Sequence, residues 1–183
     1  MTNDTIGIKT YDSQYERDIR ASLIEHFKAC PIPDDQILSN LGLFLNSKNL
    51  SRMLFMNHLY ERIIDVQGIV VEFGVRWGQN ISLFTALRGI YEPFNRHRTI
   101  VGFDTFEGFP SVSEKDGKSG MIKKGNLSLT ENYENYLDTI IDLQEKDGPL
   151  AHIKKNVLIK GDASTEKIQV DKLYGSLCHG SHI

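Results

Sequence analysis

The sequence predicts an α/β chain in which helices come first and the opening strands of a parallel sheet follow. Three observations carry this prediction. Apolar residues keep helical spacing from Tyr15 to Ile64, the texture switches at Gly68 to a short β-branched run, and strand-like and helix-like segments then alternate as far as Lys160.

Ser13 stands three residues before Glu16, a capping-box spacing, and Tyr15, Ile19, Leu23 and Phe27 follow at helical intervals. This first amphipathic helix ends at Cys30-Pro31-Ile32-Pro33, because proline removes a backbone donor and biases the residue before it toward extended conformations. Asp34 or Asp35 is expected to cap a second, short helix running to about Leu45. Asn46-Ser47 offers a cap for a third, in which Leu50, Met53, Leu54, Asn57, Tyr60, Ile63 and Ile64 keep the spacing until Gln67-Gly68. Met53, Met56, Phe44 and Phe55 read as core residues rather than as a cofactor box.

Ile69 to Phe73 then reads as a strand buried on both faces, since its only polar residue, Glu72, falls near its end. Ile81, Phe84, Thr85, Leu87 and Arg88 continue a helix that should stop before Pro93, and His97 to Phe103 forms a second strand ending in Asp104. Strand, helix, strand implies a βαβ unit and hence a parallel sheet. Residues 107 to 128 lack periodicity and predict a long loop. Ser128 and Glu131 repeat the capping-box spacing before a helix carrying Tyr133, Tyr136, Leu137, Ile140 and Ile141 up to Gly148-Pro149. A third strand, Asn156 to Lys160, ends at Gly161-Asp162. The expected division is therefore residues 1–67, helical, and residues 68–183, built on the sheet.

Composition excludes several classes. The 183 residues, 40% hydrophobic and 25% charged, suit one globular domain of ordinary size. Twenty-one Lys and Arg against 24 Asp and Glu, with basic runs no longer than a pair, argue against a nucleic-acid partner held through phosphates. No run of about 18 apolar residues predicts a membrane span, and the polar start lacks the apolar core of a signal peptide, so a cytoplasmic location is expected. Cys30 and Cys178 form no CxxC and are read as reduced thiols. Cys178, His179 and His182 gather soft-metal ligands without the second pair that a tetrahedral site needs, so no metal site is assigned.

The informative stretch is Val70-Val71-Glu72-Phe73-Gly74-Val75-Arg76-Trp77-Gly78-Gln79-Asn80. An acidic residue closes the first strand, Gly74 lets the chain turn over its carboxyl end, and Gly78 allows close approach where the next helix begins. The pattern is E-x-G-x-x-x-G. Val75-Arg76 occupy the place of the second glycine in a dinucleotide fingerprint, which argues against a nucleotide-linked oxidoreductase. An acidic strand end with these glycines instead suits S-adenosylmethionine, whose ammonium wants a carboxylate and which carries no phosphate. Asp104 would accept hydrogen bonds from ribose hydroxyls, and Asp162 falls at the same edge of the sheet. Each carboxylate also has an ordinary reading, as a cap or as part of a turn; their shared register is what singles them out.

VVEFGVRWGQN, VGFDTFEGFP and IKGDA together resemble the class I S-adenosylmethionine-dependent methyltransferases, and more narrowly the macrocin O-methyltransferase family, over about Asn46 to Ala163. The resemblance implies a Rossmann-like sheet preceded by amino-terminal helices that act as a lid and oligomer contact, and an O-methyltransferase acting on a hydroxyl of a sugar or sugar nucleotide. It implies that Glu72 and Gly74 line the methionine end, that Asp104 holds the ribose with Thr105 and Phe106 beside the nucleoside, that Asp162 sits near the adenine, and that Gly78 and Ala163 also belong to the cofactor-binding set. Magnesium is implied for the family, whose aspartate-rich segment supplies its ligands and the catalytic base. That segment is not found here, so no metal ligand or catalytic residue is assigned, and a sheet incomplete at its carboxyl end is expected. Glu107, a charge beside Gly108, reads as structural or solvated rather than as the base. The alternative function is a non-catalytic fragment or partner module that binds a nucleoside.

Overall fold

The computed structural model describes residues 12–108 and 129–162. The chain divides into two compact units, Met1–His58 and Leu59–Ile183.

In the first unit, α1 (Gln14–Lys28) begins on the predicted capping box: Glu16 N–H donates to the Ser13 side chain at 3.3 Å, and Ser13 N–H donates to Glu16 Oε2 at 2.8 Å. The second predicted helix divides into α2 (Asp34–Ile37) and a 3₁₀ turn (Leu38–Phe44), with a break in helical geometry at Asn40. Neither Asp34 nor Asp35 caps it; Pro33 is the N-cap residue, without a side-chain bond. Phe27 packs edge-on against Phe44 at 4.8 Å between ring centres. Asn46 Oδ1 accepts from Asn49 N–H at 2.8 Å, which starts α3 (Ser47–Glu61). That helix stops six residues earlier than the spacing suggests. Its exit, in the second unit, is held instead by Arg98, whose guanidinium donates to the carbonyls of Ile63 and Gly68 at 2.8 and 3.1 Å.

The second unit is a parallel sheet in the order β1-β2-β3, made of Val70–Phe73, Ile100–Asp104 and Asn156–Lys160. Helices α4 (Gln79–Tyr91) and α5 (Tyr133–Lys146) follow the first two strands. The second strand is shorter than expected, because Arg98 is drawn into an ion pair with Glu92 at 2.9 Å. The fourth helix of the chain before it ends ahead of Pro93, as the spacing requires. The N-cap of α5 is Asn132, in a left-handed conformation, and the predicted cap Ser128 lies outside the described residues, as does most of the 107–128 loop.

Register puts Val70, Ile100 and Asn156 level on one face, and Ile100 packs there with Ile81, Leu137, Ile141, Val75 and Phe106 as the core. On the other face Val101 and Phe103 are buried, but Val71 and Phe73 are 41% and 61% exposed. The expectation that the first strand is covered on both faces is therefore corrected: among the described residues β1 pairs only with β2.

Candidate functional site

Glu72 and Asp104 stand at the carboxyl ends of adjacent strands, and Asp162 follows the third. Phe73 is level with Phe103, so Gly74, the next residue, lies level with Asp104, and Glu72 sits two residues deeper on the same face. Asp104 in turn is level with Lys160, and its carbonyl accepts the Gly161 N–H at 3.0 Å, which sets Asp162 beyond the same edge.

Two of these carboxylates, Glu72 and Asp104, are oriented by fixed donors. Asn80, in the first turn of α4, donates from Nδ2 to Glu72 Oε1 at 2.9 Å. Asp104 accepts two backbone N–H groups, Arg76 on Oδ2 and Phe106 on Oδ1, both at 2.7 Å. One such bond on each oxygen leaves further acceptor capacity on both. The two donors share a second property: Arg76 (φ 49°) and Phe106 (φ 57°) hold left-handed backbones that L-residues other than Asn and Asp seldom adopt. The cost is about 1–2 kcal/mol for each residue, and charge-assisted bonds to one carboxylate offset it. Asp104 thus ties the β1–α4 turn to the segment that follows β2.

The glycines divide in role. Gly74 has φ 79°, and a side chain built there would meet nothing within 4 Å, so space lies open over the end of β1. Gly78 has φ 76°, and a Cβ there would come within 2.2 Å of Leu137 Cδ1. Its immediate structural task is therefore the approach of α5 to the start of α4. Among the other predicted residues, Thr105 donates its hydroxyl to the Gly108 carbonyl at 2.6 Å and accepts the Glu107 N–H at 3.3 Å, a local turn. The Phe106 ring is 5% exposed and belongs to the core. Ala163, like Cys178, His179 and His182, lies outside the described residues.

Sequence reasoning did not assign Asn80, Arg76 or Lys160. A signal for Asn80 existed in its place in the first turn after the glycine loop, but its hydrogen bond depends on how the helix meets the strand. Lys160 binds Glu134 at 2.8 Å and Glu107 at 3.4 Å. Glu134 and Lys160 hold each other's charge, the carboxyl below its ordinary range through the Lys160 hydrogen bond and the ammonium above its own through Glu134. A recess of about 270 Å³ opens beside them, lined in part by Phe106, Thr130 and Asn132. Glu107 is engaged by this lysine and largely exposed, which fits a structural charge. Among the described residues no three metal-ligating side chains gather, and no helix is long and apolar enough to cross a membrane.

No protein-family model and no curated protein matches the chain. Among solved structures it is similar to CalS11, described as a calicheamicin methyltransferase, with 35% identity over 91% of this chain and 65% of that one, at a TM-score of 0.85. It is likewise similar to the apo structure of CalS11, described as TDP-rhamnose 3'-O-methyltransferase, an enzyme in calicheamicin biosynthesis. There the identity is 31% over 91% of this chain and 64% of the other, at a TM-score of 0.74. The chain thus spans just under two thirds of the length of these structures. Sheet order, parallel pairing and this likeness make the fold Rossmann-like α/β.

Proposed function

We propose that this chain belongs to an S-adenosylmethionine-dependent O-methyltransferase, akin to the macrocin O-methyltransferase family, that methylates a hydroxyl of a sugar or sugar nucleotide. The observation that carries the reading is the pair Glu72 and Asp104. They lie on one face at the carboxyl edge of adjacent strands, each oriented by a hydrogen-bond donor, with open space at Gly74 between them. The likeness to structures described as methyltransferases supports it.

The donor set fits the cofactor: a carboxylate for an ammonium and a second with acceptor capacity on both oxygens for a vicinal diol. When bound, S-adenosylmethionine would supply an electrophilic methyl to an acceptor hydroxyl, with the C–S bond broken, S-adenosylhomocysteine as the leaving thioether and the hydroxyl proton taken by a base. Glu72 holds the ammonium, and Asn80 keeps that carboxylate in place. Asp104 holds the ribose hydroxyls, while Arg76 and Phe106 fix its rotamer from behind. Phe106 contributes through its backbone, since its ring is in the core, and Thr105 through the turn it closes. Asp162 would adjoin the adenine. Orientation of this kind accounts for much of the acceleration in a displacement at carbon. Among the described residues no three His, Cys, Asp or Glu side chains gather to hold magnesium.

Cytoplasmic location and a homo-oligomer formed through the amino-terminal helices complete the reading. The exposed apolar residues of α1, Tyr15 at 74%, Ile24 at 53% and Phe27 at 46%, support the second point.

The test is calorimetric titration of the chain with S-adenosylhomocysteine, beside a Glu72→Ala/Asp104→Ala double variant. Micromolar binding by the natural chain that the variant loses by about 100-fold or more is expected, as two charged contacts go. No binding by a folded natural chain would overturn the reading. Binding without turnover of any sugar nucleotide would favour the nucleoside-binding module instead.

A further inference from the structure

We infer that Arg76 is an oxyanion-recognising residue of this site, taking either the α-carboxylate of the methyl donor or the diphosphate of a nucleotide-linked acceptor. The inference rests on the reading of this edge as a donor site. Arg76 holds a left-handed backbone at φ 49°, a conformation that glycine occupies without strain. What the position gains from arginine is therefore the side chain, and strain of this kind concentrates at functional sites.

Among the described residues that side chain makes no hydrogen bond or ion pair and touches only the Trp77 ring. Arg88 and Arg98 are buried, and each is paired with a glutamate. Arg76 is exposed, its guanidinium has no carboxylate partner among the described residues, and it lies 6.0 Å from the centre of the Trp77 ring, itself 45% exposed. The Asp104 carboxylate accepts the Arg76 backbone N–H, so the residue is pinned at the edge while its head group stays available.

Charge completes the argument. Glu72 and Asp104 make the edge acidic, suited to an ammonium and to hydroxyls, yet an amino-acid end brings a carboxylate as well and a sugar nucleotide brings phosphates. Lys160, a second cation near this edge among the described residues, is already held by Glu134 and Glu107. A guanidinium offers the planar, bidentate fork that carboxylates and phosphates match.

The experiment compares the natural chain with Arg76→Gln, Arg76→Gly and Arg76→Lys by calorimetry. The ligands are S-adenosylhomocysteine, 5'-methylthioadenosine, which lacks the amino-acid end, and thymidine diphosphate. Arg76→Gly removes the guanidinium while relaxing the backbone, so it should fold at least as well as the natural chain. If the donor carboxylate is the ligand, Arg76→Gln and Arg76→Gly weaken S-adenosylhomocysteine by about 10- to 100-fold. Methylthioadenosine then changes by less than about twofold, and Arg76→Lys falls between. A loss confined to thymidine diphosphate assigns the oxyanion to the acceptor. Unchanged affinity for all three, or equal losses for S-adenosylhomocysteine and methylthioadenosine, would overturn the inference and leave the donor site standing. A natural chain that binds none of the three overturns both.

Discussion

Glu145 sits 6% exposed at the end of the sheet opposite the candidate site, and three groups converge on its carboxylate. Arg88 and Asn156 donate to Oε2, each at 2.6 Å, and Lys155 binds Oε1 at 2.7 Å. Thr85 extends the network to Asn156 Oδ1 at 3.0 Å. Charges this deeply buried are tolerable only when paired and hydrogen-bonded. Glu145→Ala would strand two cations in the interior and is expected to lower stability by about 3–5 kcal/mol. Urea denaturation measures it, and Glu145→Gln should lose less because its carbonyl oxygen still accepts. None of these residues bears a local sign of its partner: Arg88 and Glu145 are separated by 57 positions.

At the scale of elements, the meeting of α4 and α5 turns on one glycine. The sequence marks Gly78 as a point of close approach, and the group that approaches is Leu137. Gly78→Ala carries two penalties, a left-handed backbone at about 1–2 kcal/mol and overpacking at about 1–3 kcal/mol. Thermal unfolding should show both. In a double-mutant cycle, Leu137→Ala should cost less in the Gly78→Ala background than alone, because it removes the clash but not the backbone strain. Simple additivity of the two losses would mean that Leu137 does not set the spacing. The same turn is tied to the end of β2 through Asp104, so the elements that frame the site are joined by backbone as well as by packing.

For the whole molecule, acid is the condition to which the fold is most exposed. Burial works against the Glu92 charge, but hydrogen bonds from Arg98, Tyr60 and Asn95 outweigh it and hold the carboxyl below its ordinary range. A depressed folded-state pKa gives stability that is present above the unfolded value, about 4.3 for a glutamate, and is lost as pH falls through the folded value. Glu16, held down by the Ser13 side chain, and Glu134, held down by Lys160, act in the same direction at the surface. At the alkaline end, burial and then Glu92 push the Tyr60 hydroxyl well above the ordinary phenol range, so its contribution is kept below pH about 10 and lost above it. Stability by urea titration should therefore be flat from about pH 5 to 9 and fall steeply below about pH 4. Glu92→Gln should be less stable at neutral pH yet show a shallower acid decline. An equally steep decline in that variant would place the acid sensitivity elsewhere.

Features that local chemistry governs are legible along the chain. Ser13 and Glu16 bond each other within one turn, prolines 31 and 33 end a helix by lacking donors, and β-branched runs beside glycines mark strands whose ends carry Glu72, Asp104 and Asp162. The parallel pairing followed because strand, helix and strand come in succession. The end of α3, the late start of β2, the place of the Phe106 ring in the core and the restraint of two left-handed residues by Asp104 emerge only once the chain has folded. Each of these depends on partners distant in sequence, Arg98 with Ile63, Phe106 with Leu137, Asp104 with Arg76. Such contacts are chosen by burial and charge pairing among groups that meet only once the sheet has formed, and periodicity along the chain carries no record of them.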